Sequence, residues 1–146
     1  MLKRIAAALL VAGALLAAAG TPASALAPRQ YPPAEAYWVS PQTGQSECFG
    51  KTGTFKRPSR VWRVDWNWSN PRSWDECFGI APNRAIYHIW PASGRWVEMP
   101  NGGRADDVAN LFINENGYRT VQVVVSASGA LYCSHLVVGW TAWYRC

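Results

Sequence analysis

The sequence has few of the side chains on which catalytic sites most often depend. It contains two histidines, His88 and His135, and it lacks the G-x-S-x-G, H-E-x-x-H and P-loop patterns. Asp106 and Asp107 are adjacent, and neighbouring residues of a strand point to opposite faces, so they would make a poor pair of glycosidase carboxylates. The sequence therefore identifies no catalytic residues. It favours a binding protein over an enzyme, with a small cell-wall hydrolase acting through His88 as an alternative.

Metal-binding spacings and a strong charge of one sign are also missing. No C-x-x-C or H-x-x-x-H pair occurs, so we expect neither a metal site nor a cofactor. Charged residues make up 16% of the chain, and 14 basic residues stand against 9 acidic ones. With so modest an excess, the basic cluster of Lys51, Lys56, Arg57 and Arg60 is typical of a solvated loop. We therefore expect no nucleic-acid partner.

One long apolar run is present, at the amino terminus. The 15 residues Ile5–Ala19 follow the basic residues Lys3 and Arg4, and the small-x-small pattern Ala23–Ala25 comes next. This order predicts a cleaved signal peptide, here residues 1–25, with an uncleaved anchor as the alternative. The run is short for a transmembrane helix, and no second one follows. We therefore expect a secreted protein without a membrane span, whose net charge is +3 from 12 basic minus 9 acidic residues.

Four cysteines follow the predicted cleavage site, as expected for a protein of an oxidising compartment. Four cysteines allow three pairings. Cys48 and Cys77 lie in matching Glu-Cys-Phe-Gly tetrapeptides, and Cys133 and Cys146 are 13 residues apart, a separation that suits two strands of one hairpin. The favoured disulfides are therefore Cys48–Cys77 and Cys133–Cys146.

Turn residues recur at short intervals through most of the chain. This predicts a single β-rich domain over residues 37–146, after a Pro- and Ala-rich leader at residues 26–36. Apolar and polar residues alternate most clearly in Val61–Trp68. Asn114–Gly117 ends in Asn-Gly, a strong signal for a hairpin turn. We expect an all-β fold, a small disulfide-stabilised antiparallel sheet domain of the sandwich, barrel or propeller-blade-like type.

A weak internal repeat lies in the second half of the chain. Ala85-Ile86-Tyr87-His88 aligns with Ala130-Leu131-Tyr132-Cys133 at an offset of 45 residues, and Trp96 aligns with Trp140 at an offset of 44. A period of about 45 residues matches one four-stranded propeller blade. The second copy has Cys133 where the first has His88.

Residues 86–143 resemble blades of the tectonin-type and related bacterial β-propeller lectins. In those blades an aliphatic-Tyr-His strand precedes a Trp-x-x-Trp or Trp-x-x-Met strand, and the matching segments here are Ile86–Trp90, Trp96–Met99 and Trp140–Trp143. The resemblance implies carbohydrate binding. Because two blades cannot close a propeller, it also implies either a homo-oligomer or an open sandwich.

Tryptophan is the remaining functional signal, because all nine Trp residues follow the predicted cleavage site. An exposed indole offers an apolar plane with an N–H at its rim, which suits a pyranose ring and its hydroxyls. The candidate carbohydrate-binding residues are therefore Tyr87, Trp90, Arg95, Trp96, Trp66 and Trp68. The alternative for the tryptophans of the 61–68 strand is that they fill the core.

The expected partner is an extracellular glycan or cell-wall polysaccharide, because sugars make the best use of this tryptophan content. The alternative is an extracellular protein-interaction or inhibitor protein, which would bind a protein partner and show no affinity for sugars.

Overall fold

The computed structural model describes residues 27–146, and the predicted signal peptide lies outside them. The regular structure of this part is almost entirely β, with one turn of 3-10 helix at Pro100–Gly102. In chain order the strands are β1 (Ala34–Trp38), β2 (Gln45–Cys48), β3 (Lys51–Thr54), β4 (Arg60–Val64), β5 (Glu76–Ile80), β6 (Ile86–Ile89), β7 (Val97–Glu98), β8 (Asp107–Ile113), β9 (Arg119–Val125), β10 (Ala130–His135) and β11 (Tyr144–Arg145).

The strands form three antiparallel sheets, which confirms the predicted all-β fold. A five-stranded sheet has the order β1-β4-β5-β6-β7, a four-stranded sheet has the order β11-β10-β9-β8, and β2 pairs with β3. The two larger sheets pack face to face as a sandwich. Their facing side chains make one continuous core that includes Val64, Phe78, Ile86, Leu111, Val121 and Val123.

A second core covers the other face of the five-stranded sheet. The β2–β3 hairpin packs there, and the cluster includes Val61, Ile89 and the buried ring of Phe55. The Cys48–Cys77 disulfide, here called the core disulfide, joins this hairpin to β5. The Cys133–Cys146 disulfide, here called the terminal disulfide, joins β10 to the last residue. Both predicted pairings are confirmed.

Two predicted boundaries differ from the structure. The strand predicted to run from Val61 to Trp68 ends at Val64, because the Asp65 carboxylate accepts hydrogen bonds from the backbone N–H groups of Asn67 at 3.1 Å and Ser69 at 2.8 Å and so closes a turn. The residues predicted as a leader contribute to the fold instead, since β1 begins at Ala34 and Gln30 pairs with Ile113.

The two copies of the internal repeat lie in different sheets, because β6 belongs to the five-stranded sheet and β10 to the four-stranded sheet. Each of these strands pairs with the edge strand of its sheet, β6 with β7 and β10 with β11. The equivalence ends there, since β11 begins at Tyr144, after the aligned segment Trp140–Trp143. The resemblance to lectin blades stays a prediction.

Candidate functional site

A cleft of about 490 Å³ opens at one end of the sandwich. In the five-stranded sheet β5 begins and β6 ends at this end, and in the four-stranded sheet β9 begins and β10 ends there. Polar and aromatic side chains at these four strand ends, and in the segments next to them, therefore converge. They include Asp75, Glu76, His88, Trp90, Arg119 and Trp140.

A buried Glu–His pair forms part of the cleft wall. The Nδ1 atom of His88 lies 2.6 Å from Oε1 of Glu76, and the indole N–H of Trp66 donates to Oε2 of Glu76 at 3.0 Å. Glu76 and His88 are each 6% exposed. Both carboxylate oxygens therefore have a hydrogen-bond donor, and Glu76 is held in one orientation.

The carboxylate fixes which nitrogen of the His88 ring carries the proton. Because Nδ1 faces a carboxylate oxygen, Nδ1 carries the proton and Nε2 keeps its lone pair. Within residues 27–146 no group forms a hydrogen bond with Nε2. The atom is also not completely buried, so a molecule in the cleft can reach it. His88 thus presents a hydrogen-bond acceptor to the cleft that it lines.

Three aromatic rings hold the imidazole in place. Phe78 stacks on it with ring centroids 6.0 Å apart, Trp90 lies at 5.0 Å, and Trp140 meets it edge-on at 6.2 Å. Trp90 is 37% exposed and Trp140 is half-buried, and both indoles line the cleft, so each keeps surface that a ligand can contact.

A cation, Arg119, also lines the cleft. Arg119 donates to Oδ1 of Asn67 at 3.3 Å, and its guanidinium carbon lies 5.8 Å from the centre of the Trp66 ring. The amide of Asn67 in turn donates to Asp75 at 2.9 Å. Within the described part of the chain Arg119 forms no ion pair with a carboxylate. Its remaining N–H groups are available to a ligand.

Only one of the four predicted tryptophans, Trp90, lines the cleft. Trp90 is part of the cleft, as described. Trp66 is 3% exposed, because its ring packs in the sandwich core and its N–H donates to Glu76. The prediction that this ring offers a stacking surface is therefore wrong. Trp68 is 45% exposed but belongs to the turn after β4, where its φ is +51°.

The other predicted residues lie elsewhere. Tyr87 and Trp96 pack against the second core, on the opposite face of the five-stranded sheet from the cleft. The Trp96 N–H donates to the carbonyl of Lys51 at 3.0 Å, and its ring meets Phe55 edge-on. Arg95 is exposed in the turn between β6 and β7. The structure therefore does not bring the six predicted residues into one site.

Sequence reasoning missed the pairing of Glu76 with His88 and the contribution of Arg119. One signal for His88 is visible in the sequence, since it precedes Trp90 by two residues and so shares its strand face. No such signal exists for Glu76. It lies 12 residues before His88 in the chain, and the two side chains meet only because β5 pairs with β6.

In comparisons with known proteins, no family model, no curated protein and no solved structure matches the chain. Within residues 27–146 no group of three or more His, Cys, Asp or Glu side chains is arranged to hold a metal ion. A search of the same residues finds no helix of the length and apolar character needed to span a membrane.

Proposed function

We propose that the protein is a secreted carbohydrate-binding protein and that the cleft between the two sheets is its binding site. The observation that carries this proposal is the combination of indole rings with unused polar groups in one concave site. Trp90 and Trp140 supply the apolar surfaces, His88 supplies an acceptor, and Arg119 supplies donors.

This combination matches the chemistry of a sugar. The C–H faces of a pyranose ring pack on aromatic rings, while its hydroxyl groups both donate and accept hydrogen bonds. The volume of about 490 Å³ falls within the range of about 300–1,000 Å³ that is common for ligand sites, which leaves room for a short oligosaccharide. Two disulfides support an extracellular location, where such bonds persist.

Titration of intrinsic tryptophan fluorescence tests the proposal. Soluble chitin, glucan and peptidoglycan fragments would be added to the oxidised protein and to the variants Trp90→Ala and Trp140→Ala. Loss of one stacking contact of about 1.4 kcal/mol corresponds to a tenfold weaker affinity, and we expect a loss of about that size in each variant.

Trp38→Ala is the matched control. Trp38 is 67% exposed and lines a separate surface groove with Pro41 and Arg57, so its removal should leave binding in the cleft unchanged. If binding is lost only in Trp38→Ala, the site is that groove and the assignment to the cleft fails. If no glycan changes the fluorescence of any of these proteins, the carbohydrate proposal itself fails.

A further inference from the structure

We propose that the cleft is catalytic as well as binding, with His88 as the general base that activates water to hydrolyse an O-acyl ester on a bound glycan. This inference rests on the proposed function, since the bound glycan carries the ester.

The Glu76–His88 pair has the arrangement that general-base catalysis requires. A base must present a lone pair to the substrate, and Nε2 of His88 does so because Glu76 fixes the proton on Nδ1. When Nε2 takes a proton, the resulting imidazolium lies 2.6 Å from a buried carboxylate oxygen, which stabilises its charge. The Trp66 N–H keeps that carboxylate in position.

The residues of the cleft point to water as the nucleophile. Among residues 27–146 no side chain with a hydroxyl or thiol lines the cleft, and all four cysteines are in disulfides. A glycosidic bond is a poor substrate, because glycosidases use two carboxyl groups. Of the two carboxylates that line the cleft, Glu76 has both oxygens taken by Trp66 and His88, which leaves Asp75 alone. An ester needs only one group that first accepts a proton and then returns it.

The reaction balances without a cofactor. The water oxygen bonds to the carbonyl carbon while Nε2 of His88 accepts one water proton, and the carbonyl π pair moves to the oxygen. Arg119 faces the cleft with unused N–H groups that stabilise this oxyanion. The carbonyl then re-forms, the bond to the sugar oxygen breaks, and Nε2 returns its proton to that oxygen. Ester and water give carboxylic acid and a free sugar hydroxyl.

Release of acetate from O-acetylated glucan and O-acetylated peptidoglycan fragments tests the inference. The wild-type protein would be compared with His88→Ala and with His135→Ala as the matched control. His135 stacks on Tyr118 and does not line the cleft, so its removal should leave turnover unchanged. General-base catalysis contributes about 10²–10⁴-fold, so we expect kcat to fall at least about 100-fold in His88→Ala.

Chemical rescue separates a catalytic base from a structural histidine. Imidazole added to His88→Ala should restore part of the turnover after the rate without protein is subtracted, because imidazole alone attacks esters. If His88→Ala does not fold, the His88→Gln variant provides the test instead. Glutamine can still donate a hydrogen bond to Glu76, but it is not a base at neutral pH. His88→Gln should bind glycan and release no acetate.

Glu76→Gln gives a second, independent readout. Trp66 and His88 each require an acceptor, and an amide offers one oxygen and one NH₂ group. With the oxygen toward Trp66, the NH₂ group donates to Nδ1 and moves the histidine proton to Nε2. We therefore expect turnover to fall, because Nε2 no longer has a lone pair. Glycan affinity should change little, since a sugar hydroxyl that donated to Nε2 can accept from it instead.

Two results would overturn the inference. The first is that the wild-type protein binds glycan but releases no acetate. This result would refute the catalytic step and leave the proposed binding function intact. The second is turnover that persists in a folded His88→Gln variant. Absence of both binding and turnover would overturn the proposed function as well.

Discussion

Replacement of Trp66 by Phe should destabilise the fold through one hydrogen bond that can be isolated. The Trp66 N–H lies 3.0 Å from Oε2 of Glu76, and both residues are buried. Removing the donor leaves a buried charged oxygen without a partner, which costs about 1.5–3 kcal/mol. The smaller ring also loses packing contacts in the core.

Trp62→Phe provides the packing control. Trp62 packs against the same core, and its indole nitrogen is buried without a hydrogen-bond partner. This substitution therefore removes the same atoms without removing a hydrogen bond. We expect Trp66→Phe to lower the free energy of unfolding by about 2 kcal/mol more than Trp62→Phe.

Urea denaturation of the disulfide-intact proteins measures this difference directly. In thermal unfolding, about 2 kcal/mol corresponds to a gap of about 6–10 °C in Tm for a chain of this size. Equal losses of stability in the two variants would refute the claim that Trp66 anchors Glu76.

Three further predictions concern the scaffold. Removing the core disulfide, which closes a loop of 29 residues, should lower the free energy of unfolding by about 3.5 kcal/mol. Removing the terminal disulfide, which closes a loop of 13 residues, should lower it by about 3 kcal/mol. Denaturation of the two variants, each with both cysteines of one disulfide replaced by alanine, checks this order. Burial acts to raise the pKa of Asp106, but the backbone N–H of Ser126 and nearby cations outweigh it and hold the pKa below the usual 3.8. Asp106→Asn should therefore lower the free energy of unfolding by about 1–2 kcal/mol at neutral pH. The difference from the wild type should shrink as the pH falls through that pKa, because the carboxylate then becomes protonated. A difference that stays constant down to about pH 2.5 would contradict this. Gly79→Ala would place a Cβ 2.6 Å from the buried Phe55 ring and should cost about 1–3 kcal/mol in denaturant titrations, while Gly139→Ala, with open space around it, should be nearly neutral.

Local signals predicted part of this fold well. The Asn114–Gly117 turn is confirmed, with the Asn114 side chain accepting from the backbone N–H of Asn116 at 3.0 Å and of Tyr118 at 3.0 Å. The matching tetrapeptides around Cys48 and Cys77 correctly predicted the core disulfide. The turn signal lies within four consecutive residues, and the disulfide signal lies in two short tetrapeptides with the same sequence.

Elements that depend on distant contacts escaped prediction. Every residue of β5 is buried, because cores lie on both faces of its sheet, so its sequence shows no alternation between apolar and polar residues. The candidate site depends on distant contacts in the same way. Glu76, His88, Arg119 and Trp140 come from four separate segments, and only the pairing of strands and the packing of sheets bring them together.

The central claim is that a glycan in the cleft meets the lone pair on Nε2 of His88. Nitrogen-15 NMR of the histidine side chains tests it most directly, because the chain contains two histidines and a His88→Gln variant assigns the signals. The account predicts a proton on Nδ1 and a bare Nε2 whose resonance shifts on saturation with glycan, while the His135 signals stay unchanged. A proton on Nε2, or a His88 spectrum that the bound glycan leaves unaltered, would contradict the account.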